Sequence, residues 1–261
     1  MIDLKGKRAL VTGGSRGIGA AIALVLAENG ADVAITYSKS PDRAEEIVAS
    51  IEKLGRIGLA VKADSAEEAA AELAVAETVE KLGGIDILVN SAAIGLAGPI
   101  ADLDLRQFQV LMDVNVRGPV AFSKAAIPHF AKGGRIISIG SALGDRVPFA
   151  GVTAYAMSKS ALHSFTRGLS RELGPQGITV NLVAPGSTNT EANPADGAGA
   201  DFQRSLSSIG RFADPREIAS VVAFLASPSA DMITGATLTA DWRCERLTTA
   251  AAHLLLLASL E

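Results

Sequence analysis

Short apolar runs rich in β-branched residues alternate along this chain with longer stretches in which apolar residues return every three or four positions. The short runs Ala9–Thr12, Val33–Tyr37, Gly58–Val61, Ile85–Val89, Arg135–Ile139 and Ile178–Val183 have the length and composition of buried strands. The longer stretches Ile18–Glu28, Ala44–Leu54, Glu67–Leu82, Leu105–Phe130 and Ala154–Leu173 have the spacing of helices with an apolar face. A late strand around Ala236–Ala240 would complete the set. Strands that alternate with helices must run parallel and be joined by right-handed crossovers, with helices on both sheet faces. The expected fold is therefore α/β, a single doubly wound parallel sheet, with no linker, low-complexity tract or internal repeat before residue 240.

Composition narrows the partners. The chain has 261 residues, 48% hydrophobic and 20% charged, which suits one globular domain with a sizeable core. Its 24 Lys and Arg against 28 Asp and Glu give a net charge of -4 with no basic block, so nucleic acid is not an expected partner. Cys244 is the only cysteine, which excludes an internal disulfide and fits a reducing compartment. The opening Met-Ile-Asp-Leu-Lys-Gly-Lys lacks the apolar core of a signal peptide, and the expected location is cytoplasmic. No metal-ligating pattern is expected, and no membrane span.

Two local patterns carry chemistry. Thr12-Gly-Gly-Ser-Arg-Gly-Ile-Gly19 leaves the first strand and opens the first helix. Gly13, Gly17 and Gly19, with Ser15, Arg16 and Ile18 between them, would let backbone N–H groups and the helix dipole approach a pyrophosphate. Further on, Tyr155 and Lys159 lie four residues apart on one expected helix, fourteen residues after Ser141. A helix advances about 100° per residue, so the two share a face, and an ammonium there favours the phenolate of its neighbour. A phenol titrates near ~10 when unperturbed. The expectation is that Lys159 lowers the Tyr155 pKa, making an acid/base that exchanges a proton with a carbonyl or alcohol oxygen.

Across roughly residues 5 to 241 the chain resembles the short-chain dehydrogenase/reductase family, a single-domain Rossmann-type fold. Thr12–Gly19 resembles the family's Thr-Gly-x3-Gly-x-Gly, Asn90-Ser-Ala-Ala93 its Asn-Asn-Ala-Gly, and Asn115 its helix asparagine. Ser141, Tyr155 and Lys159 match its serine and Tyr-x3-Lys, and Pro185-Gly186 with Thr188 and Thr190 resembles its Pro-Gly element. Ser91 and Ala93 depart from the family's asparagine and glycine. The nearest style is that of β-ketoacyl reductases and related ketone reductases. Enoyl reductases space the tyrosine and lysine further apart.

The resemblance implies roles. Tyr155 gives its proton to the substrate oxygen, Ser141 polarises that oxygen, Lys159 lowers the tyrosine pKa and bonds the nicotinamide ribose, and Asn115 holds a water extending the relay. Asn90, Ala92, Asp64 and Ser65 are expected beside the cofactor, with Asp64 at the adenine ring. Cofactor choice is read at the end of the second strand, where NAD-binding relatives carry an acid. Here Thr36-Tyr37-Ser38-Lys39 carries none, and Asp32 comes too early. Arg16, Ser38, Lys39 and Arg43 instead offer donors and positive charge to a 2′-phosphate, so NADP(H) is expected. Phe149, Val147 and Ile94 would line an apolar pocket, and Ser187 to Ala213 reads as a substrate-covering loop or an ordinary long connection.

The expected function is NADPH-dependent reduction of a ketone or aldehyde. An alcohol dehydrogenase working mainly in the oxidative direction uses the same residues, and a non-catalytic dinucleotide sensor is possible on the same fold. The resemblance also implies a homotetramer that pairs the long helices at Leu105–Phe130 and Ala154–Leu173. It stops at Asp241, leaving a domain of residues 1–241 and an atypical extension of residues 242–261. Ala250–Leu260 is apolar nearly all round yet shorter than the ~20 residues of a membrane span. A packed helix, an oligomer contact and a non-native extension are all compatible with it.

Overall fold

The computed structural model describes residues 2–241, so the expected extension lies outside the described residues. Among them, seven strands form one all-parallel sheet: β1 (Arg8–Val11), β2 (Asp32–Tyr37), β3 (Gly58–Lys62), β4 (Ile85–Asn90), β5 (Phe130–Ile139), β6 (Thr179–Pro185) and β7 (Thr237–Ala240). Their order is β3-β2-β1-β4-β5-β6-β7. The chain reverses its direction of winding between β1 and β4, and in such sheets the crevice at the carboxyl ends of those strands is where ligands bind.

Successive side chains on a strand point to opposite faces, and each face here has its own core. Ala9, Val11, Val33, Ile35, Ile87, Val89, Ile137 and Val183 pack against α1 (Gly17–Glu28), α2 (Pro41–Lys53) and, further along, α8 (Pro215–Ala226). Their neighbours Leu10, Ala34, Leu88, Ile136 and Val180 pack on the other face against α3 (Glu68–Leu82), α5 (Gly118–Ala126) and α6 (Thr153–Leu173). Strands buried on both sides need no polar alternation, which is why they read in the sequence as continuous apolar runs.

Two expectations are corrected. The expected single helix Leu105–Phe130 is α4 (Leu105–Met112), a π-helical segment Asp113–Arg117, α5, and a 3-10 turn Ile127–His129, with β5 already begun at Phe130. The cause is local. Pro119 has no N–H to give to the carbonyl of Asn115 four residues back, and the Gly118 N–H instead reaches five residues back to the Asp113 carbonyl. The region from Ser187 onward is not all loop either: α7 (Ala200–Ser205) interrupts it, and α8 follows. Helix α8 starts on a capping box in which the Asp214 carboxylate accepts from the Arg216 N–H at 2.8 Å and Glu217 accepts from the Asp214 N–H at 2.8 Å.

Candidate active site

The glycine turn is held from three sides. The Thr12 N–H donates to Val89 O at 2.9 Å, and the N–H groups of Gly13 and Gly14 donate to the Thr36 hydroxyl at 3.0 Å and the Thr36 carbonyl at 2.9 Å. Thr12 Oγ1 in turn accepts from the N–H groups of Ser91 and Ala92, each at 3.0 Å. This clamp fixes the Asn90–Ala93 loop through its backbone, so the departures at Ser91 and Ala93 leave the loop pinned. Gly13 has φ +65°, and a Cβ there would stand 2.9 Å from Ala92 Cα, so only glycine fits.

The residues fit a dinucleotide phosphate. Helix α1 begins at Gly17 with no side-chain cap on its first amides and no acid in its first turn, which leaves N–H donors and the positive dipole end for an anion. Arg16 is exposed on the turn, Ser15 and Ile18 are half-buried, and Gly19 packs on the Gly13 carbonyl so closely that no side chain could replace its hydrogen. Ser38 and Lys39 are exposed at the end of β2, whereas Asp32 is at its opposite end, accepting from the Ile57 N–H at 2.8 Å. Asp64 is exposed after β3 and accepts from the Ala66 N–H at 3.0 Å, and buried Ser65 abuts Gly118. Asn90 is buried. Its Nδ2 donates to Ser123 Oγ at 3.2 Å, and its Oδ1 has no hydrogen-bond partner among the described residues.

The Pro185–Thr190 segment comes down over this turn. Pro185 closes β6 opposite Ala240, and Gly186 lies against the Asp241 backbone. Thr188 pairs with Ala213 and donates its hydroxyl to the Gly186 carbonyl at 3.1 Å, while Thr190 Oγ1 accepts from the Asn193 N–H at 3.2 Å. The methyl group of Thr190 is the nearest neighbour of any side chain that would be added at Gly17, at 3.4 Å. The next residue, Glu191, pairs with Arg43 of α2 at 3.1 Å, so an ion pair links α2 to this segment.

Ser141, Tyr155 and Lys159 converge on the far side. Ser141 follows β5 and its Oγ accepts from the Leu143 N–H at 3.1 Å. A 3-10 turn, Ala142–Gly144, then lies directly on α6, where a Cβ on Gly144 would stand 2.9 Å from the Lys159 carbonyl carbon. That approach brings the Ser141 hydroxyl onto the Tyr155 phenol, and the two are hydrogen-bonded. Lys159 is 3% exposed. Its ammonium donates to the Ile139 carbonyl at 2.9 Å and stands 5.9 Å from the centroid of the Tyr155 ring.

The electrostatics differ from the sequence expectation. Burial raises the Tyr155 pKa above the ordinary phenol value, with the Ser141 hydrogen bond pulling the other way. Burial also lowers Lys159 to about 8. The net shift of the tyrosine is thus upward, against the expected depression. At the phenol, lost hydration outweighs the Ser141 hydrogen bond, while the Lys159 ammonium donates to the Ile139 carbonyl.

Asn115 sits in the π-helical segment, 1% exposed. Its Oδ1 accepts from the Ile94 N–H at 2.9 Å, and its Nδ2 donates to the Ile94 carbonyl at 2.9 Å and to Ser158 Oγ at 3.0 Å. Of the expected pocket residues, Ile94 and Val147 are exposed, and Phe149 meets Phe202 of α7 edge-on with centroids 5.6 Å apart. The sequence reading missed Thr36, Glu191, Phe202 and Ser158. Each acts through a contact with a residue distant in sequence, and only Ser158, between Tyr155 and Lys159, had a local signal. Among the described residues, no group of His, Cys, Asp and Glu suits a metal ion, and no helix is long and apolar enough to cross a membrane.

Comparison with known proteins places this arrangement. The family model described as enoyl-(acyl carrier protein) reductase matches residues 13–242. A short-chain dehydrogenase from Burkholderia cenocepacia J2315, solved in complex with NADP, superposes with a TM-score of 0.92 at 53% identity over 93% of this chain and 99% of its own. The cyclic-di-GMP-binding biofilm dispersal mediator protein of Escherichia coli K12 is 44% identical, covering 90% of this chain and 96% of its own. The 3-oxoacyl acyl-carrier-protein reductase of Vibrio cholerae is 40% identical, covering 91% and 96%. This chain belongs to the short-chain dehydrogenase/reductase family.

Proposed function

We propose that the protein is an NADP(H)-dependent oxidoreductase that reduces a ketone or aldehyde to an alcohol, with Tyr155 as proton donor. The observation that carries this reading is geometric: Ser141 is hydrogen-bonded to the Tyr155 phenol, and the Lys159 ammonium stands 5.9 Å from the centroid of the same ring. A phenol so placed carries the proton that a carbonyl oxygen needs as it gains electrons. Reduction adds a hydride to carbon and a proton to oxygen, and NADPH supplies the hydride when bound. Ser141, hydrogen-bonded to the phenol, polarises the same oxygen. Lys159, buried behind the tyrosine, holds the ribose and restores the positive field as the phenol loses its proton. Pro119 leaves the Asn115 carbonyl without its usual helical donor, an acceptor for the water that carries the relay outward.

The cofactor is held by Gly13, Ser15, Arg16, Gly17, Ile18 and Gly19 at the phosphates, and by Ser38 and Lys39 at the 2′-phosphate. Asp64, Ser65, Asn90 and Ala92 flank the adenosine side, and Pro185, Gly186, Thr188 and Thr190 cover the nicotinamide. The NADP-bound Burkholderia relative, at 53% identity, supports this. The Vibrio relative, a 3-oxoacyl reductase, supports a carbonyl substrate. We place the enzyme in the cytoplasm as a homotetramer, a reading supported by the exposed apolar side chains of Leu105, Val110 and Val120 on α4 and α5. Light scattering showing a monomer at micromolar concentration would remove the tetramer.

A second reading, a dinucleotide-binding sensor, is supported by 44% identity to a relative named for binding cyclic-di-GMP. One experiment separates the two. A panel of ketones, aldehydes and alcohols is assayed with NADPH, NADH and their oxidised forms by nicotinamide absorbance. Carbonyl-dependent NADPH oxidation is expected. NADPH binding without turnover of any carbonyl or alcohol favours the sensor.

A further inference from the structure

Tyr155 occupies a vulnerable place on its helix. Helix α6 starts at Thr153, so the tyrosine lies in the first turn, and the N-cap position is Val152, which offers no side-chain acceptor to the free amides. First turns without a cap fray, and a missing cap costs about 1 kcal/mol of helix stability. Proton transfer, in contrast, requires the phenol oxygen to be held to a fraction of an ångström. Something outside the helix end must hold this turn.

A chain of hydrogen bonds does so, and its direction is fixed throughout. The Ile94 N–H can only donate and the Ile94 carbonyl can only accept, so the Asn115 amide must present Oδ1 to the first and Nδ2 to the second, each at 2.9 Å. The other Nδ2 hydrogen then goes to Ser158 Oγ at 3.0 Å. Ser158 receives that bond, which leaves its single hydroxyl hydrogen for the Tyr155 carbonyl at 2.7 Å. Ser158 is fully buried, so no water competes. In an α-helix that same carbonyl is the acceptor for the Lys159 N–H. Ser158 therefore grips the one peptide group that joins the turn carrying both side chains.

We propose that Ser158 is a positioning residue: through its hydroxyl the π-helical segment and the Ile94 loop hold the uncapped first turn of α6, so that the Tyr155 phenol stays on Ser141. The proposal rests on the reading of Tyr155 as proton donor. Ser158 touches neither substrate nor cofactor in this scheme and acts through the tyrosine backbone. Removing its hydroxyl frees the first turn and leaves a buried Asn115 hydrogen without an acceptor.

The test compares Ser158→Ala, Ser158→Thr, Ser158→Cys and Tyr155→Phe by kcat, carbonyl KM, NADPH Kd, pH profile and thermal midpoint. Ser158→Ala is expected to lower kcat by about 10- to 100-fold, as for a misplaced reacting group, with NADPH Kd changed less than about threefold. Its high-pH limb of activity is expected to move, because the phenol's distance to Ser141 and its burial both change. Ser158→Thr keeps the hydroxyl and is expected to recover most of the rate and the original profile; if threonine cannot be packed, Ser158→Cys should recover a smaller part. Ser158→Ala with kcat within about twofold of wild type overturns the proposal. So does a rate loss that tracks the thermal midpoint, leaves the pH profile in place and is not recovered by either replacement. Wild-type turnover by Tyr155→Phe would instead remove the proton-donor reading, and the proposal with it.

Discussion

Lys159 donates its buried ammonium hydrogen to the backbone carbonyl of Ile139, the last residue of β5, at 2.9 Å. This bond ties the active helix to the central strand, yet it does not offset the cost of burying a charge, and the lysine pKa falls to about 8.

That shift makes stability depend on pH, and the sign follows from proton counting. Below about pH 8 both folded and unfolded lysine are protonated, and the burial penalty is constant. Between about 8 and the ordinary lysine value of 10.5 only the unfolded chain keeps the proton, so stability rises with pH across that window. Lys159→Met removes the penalty. It should stabilise the ligand-free protein at pH 7 by up to about 3 kcal/mol, less about 1 kcal/mol for the lost hydrogen bond. The gain should vanish toward pH 10.5. Thermal denaturation at several pH values checks this, and a methionine variant that is less stable by a constant amount at every pH would contradict it.

NADPH should be preferred to NADH, and Arg16→Ala with Lys39→Ala should narrow the preference. Charge-assisted hydrogen bonds are each worth ~1.5–3 kcal/mol, so loss of both should shift the ratio of affinities by more than about tenfold. Fluorescence titration with each cofactor measures the ratio. Equal binding of the two by the unmodified protein would refute the assignment of these side chains to the 2′-phosphate.

Glu191→Gln should tighten NADPH binding. The Glu191 carboxylate is held 3.1 Å from Arg43, and its other oxygen lies 3.9 Å from where a side chain on Gly17 would begin. Negative charge there opposes the phosphates and occupies a cation that could serve them. Both partners are about half exposed, which limits the effect to about 1 kcal/mol, or up to about fivefold in Kd, and it should fade at high salt. Weaker NADPH binding by the glutamine variant would show that the carboxylate holds the loop in a binding-competent position instead.

Local signals carried much of this molecule. The sheet was legible because strands covered on both faces are apolar at every position, as in Val33 to Ile35, and the glycine turn because only glycine allows Gly13 its approach to Ala92. The break at Asp113–Arg117 was not, since the apolar spacing of Leu111, Val114 and Phe122 runs through it; the proline at 119 was the available clue. Helix α8 was marked by Asp214-Pro215 and Glu217, a start signal hidden behind a long polar segment. The sign of the Tyr155 shift could not be read from spacing. Four residues put Lys159 on the right face, but the burial that raises the phenol comes only with the fold, as does the Ile139 carbonyl of β5 that receives the ammonium.

The most direct measurement is carbonyl-dependent NADPH oxidation by Tyr155→Phe, with NADPH Kd measured on the same preparation. The substitution keeps the ring and removes only the exchangeable proton. Turnover should fall by about 100-fold or more while Kd stays within about twofold, and a residual rate above about a tenth of wild type would contradict Tyr155 as the proton donor.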